Sequence, residues 1–129
     1  MLEPQKQEPM KVLIIEENAG MRRLIRALVE ELPCAISECR DSAQALAVCA
    51  AQQPEWVLLD LKGDGLAAMR QIHRACPQTR MVVVTDDDDA RYRAAAEQAG
   101  ACGYVLKENL FALRRILFGP SDPGAPSGQ

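Results

Sequence analysis

The chain has 129 residues, 48% of them hydrophobic and 26% charged, with 15 basic against 18 acidic residues and a net charge of −3. At roughly 100–200 residues per domain this is one globular domain, and general disorder is excluded by its ordinary apolar content. The acidic balance argues against nucleic-acid binding by bulk charge, and no apolar run approaches the ~18 residues of a membrane span.

Residues 1–10, MLEPQKQEPM, carry two prolines and two glutamates and no apolar centre. They read as a flexible leading segment and not as a secretory signal. Residues 11–15 (KVLII) form a short continuous apolar run, the pattern of a strand buried on both faces. Met21, Leu24, Ile25, Leu28, Val29 and Leu32 then recur at helical spacing, opposite Arg22, Arg23, Arg26 and Glu30, until Pro33 stops the helix. A second strand is predicted over 34–38, and Asp41 or Ser42 can cap a helix running to about Ala51. Pro54 precedes a third strand over 55–60 (EWVLLD), and Leu66, Met69, Ile72 and Cys76 mark a helix over 64–75 that ends before Pro77. The β-branched run 80–85 (RMVVVT) is the plainest strand. Tyr92, Ala95, Ala96 and Ala99 mark a fourth helix closed by Gly100, followed by a strand over 102–106 and a last helix over 108–117. From 119 to 129 the chain is mostly Gly, Pro and Ser, which reads as a flexible tail.

Five strand–helix units imply an α/β domain over 11–118 with a parallel sheet and helices on both faces. The five cysteines, Cys34, Cys39, Cys49, Cys76 and Cys102, are odd in number and contain no C-x-x-C. They read as reduced thiols packed as small apolar groups in a cytoplasmic protein, with neither a disulfide framework nor a zinc site. His73 reads as a surface histidine and Trp56 as packed against a helix edge.

In an open parallel sheet, ligands bind beyond the carboxyl ends of the strands. The first strand ends in Glu16-Glu17, the third in Asp60, the fourth in Thr85 followed by Asp86–Asp89, and the fifth in Lys107. Carboxylates, a hydroxyl and an ammonium are therefore expected on one edge. Paired carboxylates suit a hard cation such as Mg²⁺, a lysine can balance a phosphoryl group, and a carboxylate can serve as nucleophile to form an acyl phosphate. No G-x-x-x-x-G-K-[ST] or G-x-G-x-x-G follows the first strand, and Lys62 stands where a D-x-D phosphatase needs its second aspartate. Both features count against an enzyme that turns over a free substrate.

KVLIIEENAGMRRLIRALVE, PEWVLLDLKGDGLAAMRQI and MVVVTDDDDARYRAAAEQAGACGYVLKENL, in this order and spacing, resemble the receiver domain of bacterial two-component response regulators. The resemblance runs from Lys11 to Phe118. It implies a doubly wound (βα)5 fold with strand order 2-1-3-4-5. It further implies that Asp60 accepts a phosphoryl group from a sensor histidine kinase or phosphotransfer protein. Glu16 and Glu17 match the acidic pair, and Glu17, Asp60 and the carbonyl of Lys62 the Mg²⁺ ligands. Thr85 and Lys107 match the residues that meet the phosphate, and Tyr104 the aromatic residue that follows Thr85. The fourth helix, fifth strand and fifth helix would then present the output surface to a partner protein or to a second copy in a homodimer, with neither nucleic acid nor membrane as a direct partner.

Three features depart from the family pattern. Both acidic residues are glutamate, each with one more C–C bond of reach, roughly 1.5 Å, than aspartate. The loop after Asp60 lacks about three residues, including a Met-Pro pair, which removes up to roughly 10 Å of contour and can turn the Lys62 carbonyl away from a metal. Asp86 replaces the commonly small residue after Thr85, and Asp87–Asp89 read as a solvated loop with helix-start carboxylates. A degenerate receiver, acting as a phosphorylation-independent interaction module, is the alternative reading.

Overall fold

Strands and helices alternate along the residues that the computed structural model describes, 9–31 and 33–119. They are β1 (Met10–Ile15), α1 (Ala19–Val29), β2 (Cys34–Cys39), α2 (Ser42–Gln52), β3 (Trp56–Leu59), α3 (Gly65–Ala75), β4 (Arg80–Thr85), α4 (Ala90–Gln98), β5 (Ala101–Leu106) and α5 (Ala112–Phe118), with a 3-10 turn at Lys107–Asn109. Most of the expected leading segment, most of the expected tail, and Leu32 lie outside the described residues.

All strand pairs are parallel, and the order is β2-β1-β3-β4-β5, the doubly wound α/β arrangement expected. Successive strand residues alternate between two apolar layers. Leu13, Ile15, Val57, Leu59, Met81 and Val83 face Ala45, Cys49, Met69, Ile72 and Ala96 of α2, α3 and α4. Val12, Ile14, Leu58, Val82 and Val84 face Ile25 and Val29 of α1 and Leu113 and Leu117 of α5. The uninterrupted apolar runs of the sequence follow from this two-sided burial.

Helix starts follow local chemistry. Asn18 Oδ1 accepts from the Met21 N–H at 2.8 Å, Asp41 Oδ1 from the Gln44 N–H at 3.2 Å, and Asp89 Oδ1 from the Arg91 N–H at 2.8 Å, each filling a helix's unpaired first-turn donors. Asp89 therefore caps α4, and Asp87 Oδ1 accepts from the Asp89 N–H at 2.9 Å.

Several expectations need correction. α1 stops at Val29, short of Pro33, because the Glu30 N–H closes the last turn on the Arg26 carbonyl. Leu24 and Tyr92, expected on apolar faces, are exposed. The last helix does not start at Glu108: the chain makes a 3-10 turn there and enters α5 at Ala112. β3 ends at Leu59, so Asp60 stands just past the strand. Trp56 is buried in the α1–α5 layer with the Arg80 guanidinium 4.4 Å over its ring. All five thiols are free, and Cys102 is exposed rather than packed. His73 is on the surface as expected.

Candidate functional site

The carboxyl ends of β1, β3 and β5 converge because the strand order reverses between β1 and β3 and places β1 beside both β2 and β3. Glu16 follows β1 and is buried; its Oε1 lies 2.7 Å from the Lys107 Nζ, and its Oε2 accepts from the Asn18 N–H at 3.0 Å. Asp60 follows β3, with Oδ2 2.8 Å from the same ammonium and Oδ1 accepting the Lys62 N–H at 3.1 Å. Lys107 thus bridges two carboxylates at the pocket floor, its side chain 9% exposed. Burial alone pushes the Lys107 ammonium down, but its hydrogen bonds to Asp60 and Glu16 and their charges outweigh that and hold it above the ordinary lysine value.

The loop from Asp60 to α3 is tight. Gly63 has φ +64, a left-handed conformation suited to glycine, and the Gly65 N–H closes the turn on the Lys62 carbonyl at 3.3 Å. A Cβ on Gly65 would stand 2.2 Å from the Asp60 carbonyl oxygen. Asp64 is tied to α2 by the Ser42 hydroxyl, which donates to Asp64 Oδ1 at 2.5 Å. The short loop of the sequence is therefore a compact turn, and its glycines are the condition for closing it.

The sequence reading missed one contact at the pocket mouth. The Lys62 ammonium pairs with Asp86 Oδ2 at 3.1 Å, joining the β3–α3 turn to the β4–α4 loop. The hydrogen bond from Lys62, helped by the charge of Lys107, holds the Asp86 carboxyl below the usual carboxylate range. Glu16, Glu17, Lys62, Asp86 and Lys107 line one cleft, while Glu17 and Asp60 share an adjoining hollow with Lys62. The only sequence signal for the ion pair was opposite charge at the ends of adjacent strands.

Thr85 ends β4 and Tyr104 lies in β5, and both meet the β4–α4 loop. Thr85 is buried, its hydroxyl accepting from the Asp87 N–H at 3.3 Å. The Tyr104 hydroxyl donates to the Asp87 carbonyl at 2.6 Å, and the Arg93 guanidinium lies 4.7 Å from its ring centroid. Asp87 backbone groups thus join the β4 hydroxyl to the β5 aromatic and, through Arg93, to α4. Burial, then the nearby Asp87 charge, pushes the Tyr104 phenol up against the opposing pull of Arg93.

The resemblance implies a Mg²⁺ site at Glu17, Asp60 and the Lys62 carbonyl. Mg²⁺ needs near-ideal octahedral oxygen donors. Among the described residues no group of three or more His, Cys, Asp or Glu side chains is gathered to hold a metal. Glu17 is exposed, the Lys62 carbonyl accepts from Gly65, and the Lys107 ammonium sits between Glu16 and Asp60. Arranged in this way, Glu17, Asp60 and the Lys62 carbonyl do not fit a Mg²⁺ cage.

A five-stranded doubly wound sheet with an aspartate, an acidic residue and a lysine joined at its carboxyl edge is the arrangement that the resemblance to receiver domains implies. Residues 12–117 match the family model of the response regulator receiver domain, and the chain belongs to that family. It is a receiver domain of the kind found in two-component response regulators. Response regulator MprA of Mycolicibacterium vanbaalenii is 27% identical over 128 residues, covering 94% of this chain and 55% of that protein. The receiver domain of AraT, a response regulator of Geobacillus stearothermophilus, matches with a TM-score of 0.73 at 27% identity, covering 84% of this chain and 89% of that one. A Burkholderia pseudomallei response regulator, solved with a phosphorylated aspartic acid, a calcium ion and citrate, shares the fold with a TM-score of 0.76 at 21% identity, covering 82% and 65%. The chain spans about half the length of the curated relatives it matches. Among the described residues no helix is long and apolar enough to cross a membrane.

Proposed function

We propose that Asp60 accepts a phosphoryl group from a sensor histidine kinase or phosphotransfer protein in the cytoplasm. The domain over 11–118 then signals through α4, β5 and α5 to a protein partner, with a second copy of the chain as a further candidate. The observation that carries this reading is the carboxylate of Asp60, held at a strand end by the Lys107 ammonium and the Lys62 N–H.

The transfer balances simply. An Asp60 carboxylate oxygen attacks the donor phosphorus, the bond from phosphorus to the donor atom breaks, and the electron pair leaves with the donor. The product is an acyl phosphate. Lys107 offsets the charge that arrives on the phosphoryl oxygens. Thr85 and Tyr104, linked through Asp87, are the groups that relay the change toward α4. Mg²⁺ is the cofactor the resemblance implies, but the donors as they stand do not fit it and no step of this transfer passes through it.

The alternative reading is a phosphorylation-independent interaction module. Incubation with acetyl phosphate, with and without Mg²⁺, separates the two readings by intact mass. The expected result is one phosphoryl increment, absent in Asp60→Asn. No increment on the unaltered chain under either condition establishes the interaction module instead.

A further inference from the structure

The Lys62–Asp86 pair sits where neither strand needs it. Its side chains are 67% and 61% exposed, so the pair adds little to stability and its members can separate at small cost. Lys62 is nonetheless fixed to the acceptor through its backbone, since its N–H donates to Asp60 Oδ1. The side chain is therefore anchored on the acceptor itself. Asp86 in turn immediately precedes Asp87, whose N–H meets the Thr85 hydroxyl and whose carbonyl meets the Tyr104 hydroxyl. One ammonium is thus shared between the acceptor turn and the loop that holds the β5 aromatic.

We propose that Lys62 is a mobile phosphoryl-binding residue that exchanges Asp86 for the phosphoryl group on Asp60, and so couples acceptor charge to the β4–α4 loop. The inference rests on the reading of Asp60 as phosphoacceptor. A phosphorylated Asp60 carries more negative charge than the Asp86 carboxylate and offers more oxygens, so it is the stronger partner for a flexible ammonium. Asp86 lies in the same cleft as Lys107. Once Lys62 leaves, Asp86 loses its hydrogen-bonded cation and keeps only the charge of Lys107 against the growing negative charge, and like-charge repulsion moves its loop outward. The hydrogen bonds of Asp87 to Thr85 and Tyr104 ride on that loop. The charge event at β3 then reaches β5 through side chains of this chain alone. The same exchange explains why an acidic residue after Thr85 is tolerated: Lys62 neutralises it in the resting protein.

The test uses the full chain, acetyl phosphate and four variants: Lys62→Ala, Lys62→Arg, Asp86→Ala and Asp60→Asn. Phosphorylation and its decay after donor removal are followed by intact mass, and the backbone amides of Asp86 and Asp87 by two-dimensional NMR. In the unaltered chain these amides shift on phosphorylation. In Lys62→Ala the shift is lost and the acyl phosphate decays about fivefold faster, the scale of one exposed ion pair; Lys62→Arg restores both in part. In Asp86→Ala, Lys62 is free from the outset, and phosphorylation is about fivefold faster on the same scale. A Lys62→Ala protein whose phosphorylated form decays and shifts like the unaltered chain overturns this inference alone. If Lys62→Ala takes no phosphoryl group, the Asp86→Ala rate decides: faster supports the exchange, unchanged or slower overturns it. An unaltered chain that gains no phosphoryl group on Asp60 overturns the functional reading, and the exchange with it.

Discussion

Lys107 is the residue on which the pocket's electrostatics turn. Its ammonium is the shared partner of Glu16 and Asp60, and all three side chains are largely buried. Two buried carboxylates without their cation cannot both stay ionised cheaply. Lys107→Met keeps the side chain's length and removes its charge. It is expected to cost roughly 3–5 kcal/mol at neutral pH, the range for breaking a buried pair from one side. Urea unfolding at neutral pH checks this against the unaltered chain. An unchanged midpoint would mean that the Lys107 ammonium is not needed to offset the Glu16 and Asp60 carboxylates it bridges.

At the scale of elements, the turn from Asp60 into α3 shows what could be read in the sequence and what could not. The strand ends were legible because buried parallel strands write themselves as apolar runs, and each run ends in a polar residue where the chain leaves the sheet. Asp60 and Lys107 came from that rule alone, and they meet. Which acid joins them was not legible. Glu16 and Glu17 are adjacent and identical, and only strand alternation, with the Asn18 N–H holding Glu16, turns Glu16 inward and leaves Glu17 exposed. The Lys62–Asp86 pair and the stacking of Arg93 on Tyr104 depend on side-chain rotamers across 24 and 11 positions of sequence, which no local pattern encodes. The exposed Leu24 and Tyr92 fit a helical period but stand at the rims of the hollows beside the strand ends, because a period fixes a face without fixing its width. The turn itself makes a sharp prediction. Gly65→Ala would drive a Cβ against the Asp60 carbonyl. The chain must open the turn, at a cost of roughly 1–3 kcal/mol for forced overpacking, with Asp60 displaced from Lys107. Thermal unfolding reads the first effect and the rate of phosphorylation by acetyl phosphate the second. A variant as stable and as reactive as the unaltered chain would show that the turn has slack that these positions do not suggest.

For the molecule as a whole, the titrating groups that the fold shifts upward make it alkali-sensitive. Cys34 and Cys39 are raised from 9.0, first by burial and then by the charges of Glu55 and Asp41 respectively. Cys49, buried between α2 and the sheet, is pushed up to about 11 by burial, with Cys76 and Cys39 adding to it. Tyr104 is raised from 10.0 and Lys107 from 10.5. For every one of these the unfolded chain loses its proton at a lower pH than the folded chain. The unfolded state therefore binds fewer protons across this range, and stability must fall as pH rises. The fall begins near 9 with the thiols, steepens from 10 as Tyr104 joins, and takes in Lys107 above 10.5. On the acid side the opposite holds for Asp86 and Asp89, lowered from 3.8 by their hydrogen bonds from Lys62 and Arg91: what they contribute is present above that value and lost as pH falls below it. The expected profile is a plateau with a long alkaline slope, measured by urea midpoint from acid to alkaline pH. Cys49→Ala separates the contributions, because it removes the largest thiol shift while leaving the pocket intact. Its lower plateau, from the cavity it creates, should be followed by a shallower decline between about 9 and 11. A decline of unchanged steepness would transfer the alkaline sensitivity from Cys49 to the other raised groups, Cys34, Cys39, Tyr104 and Lys107.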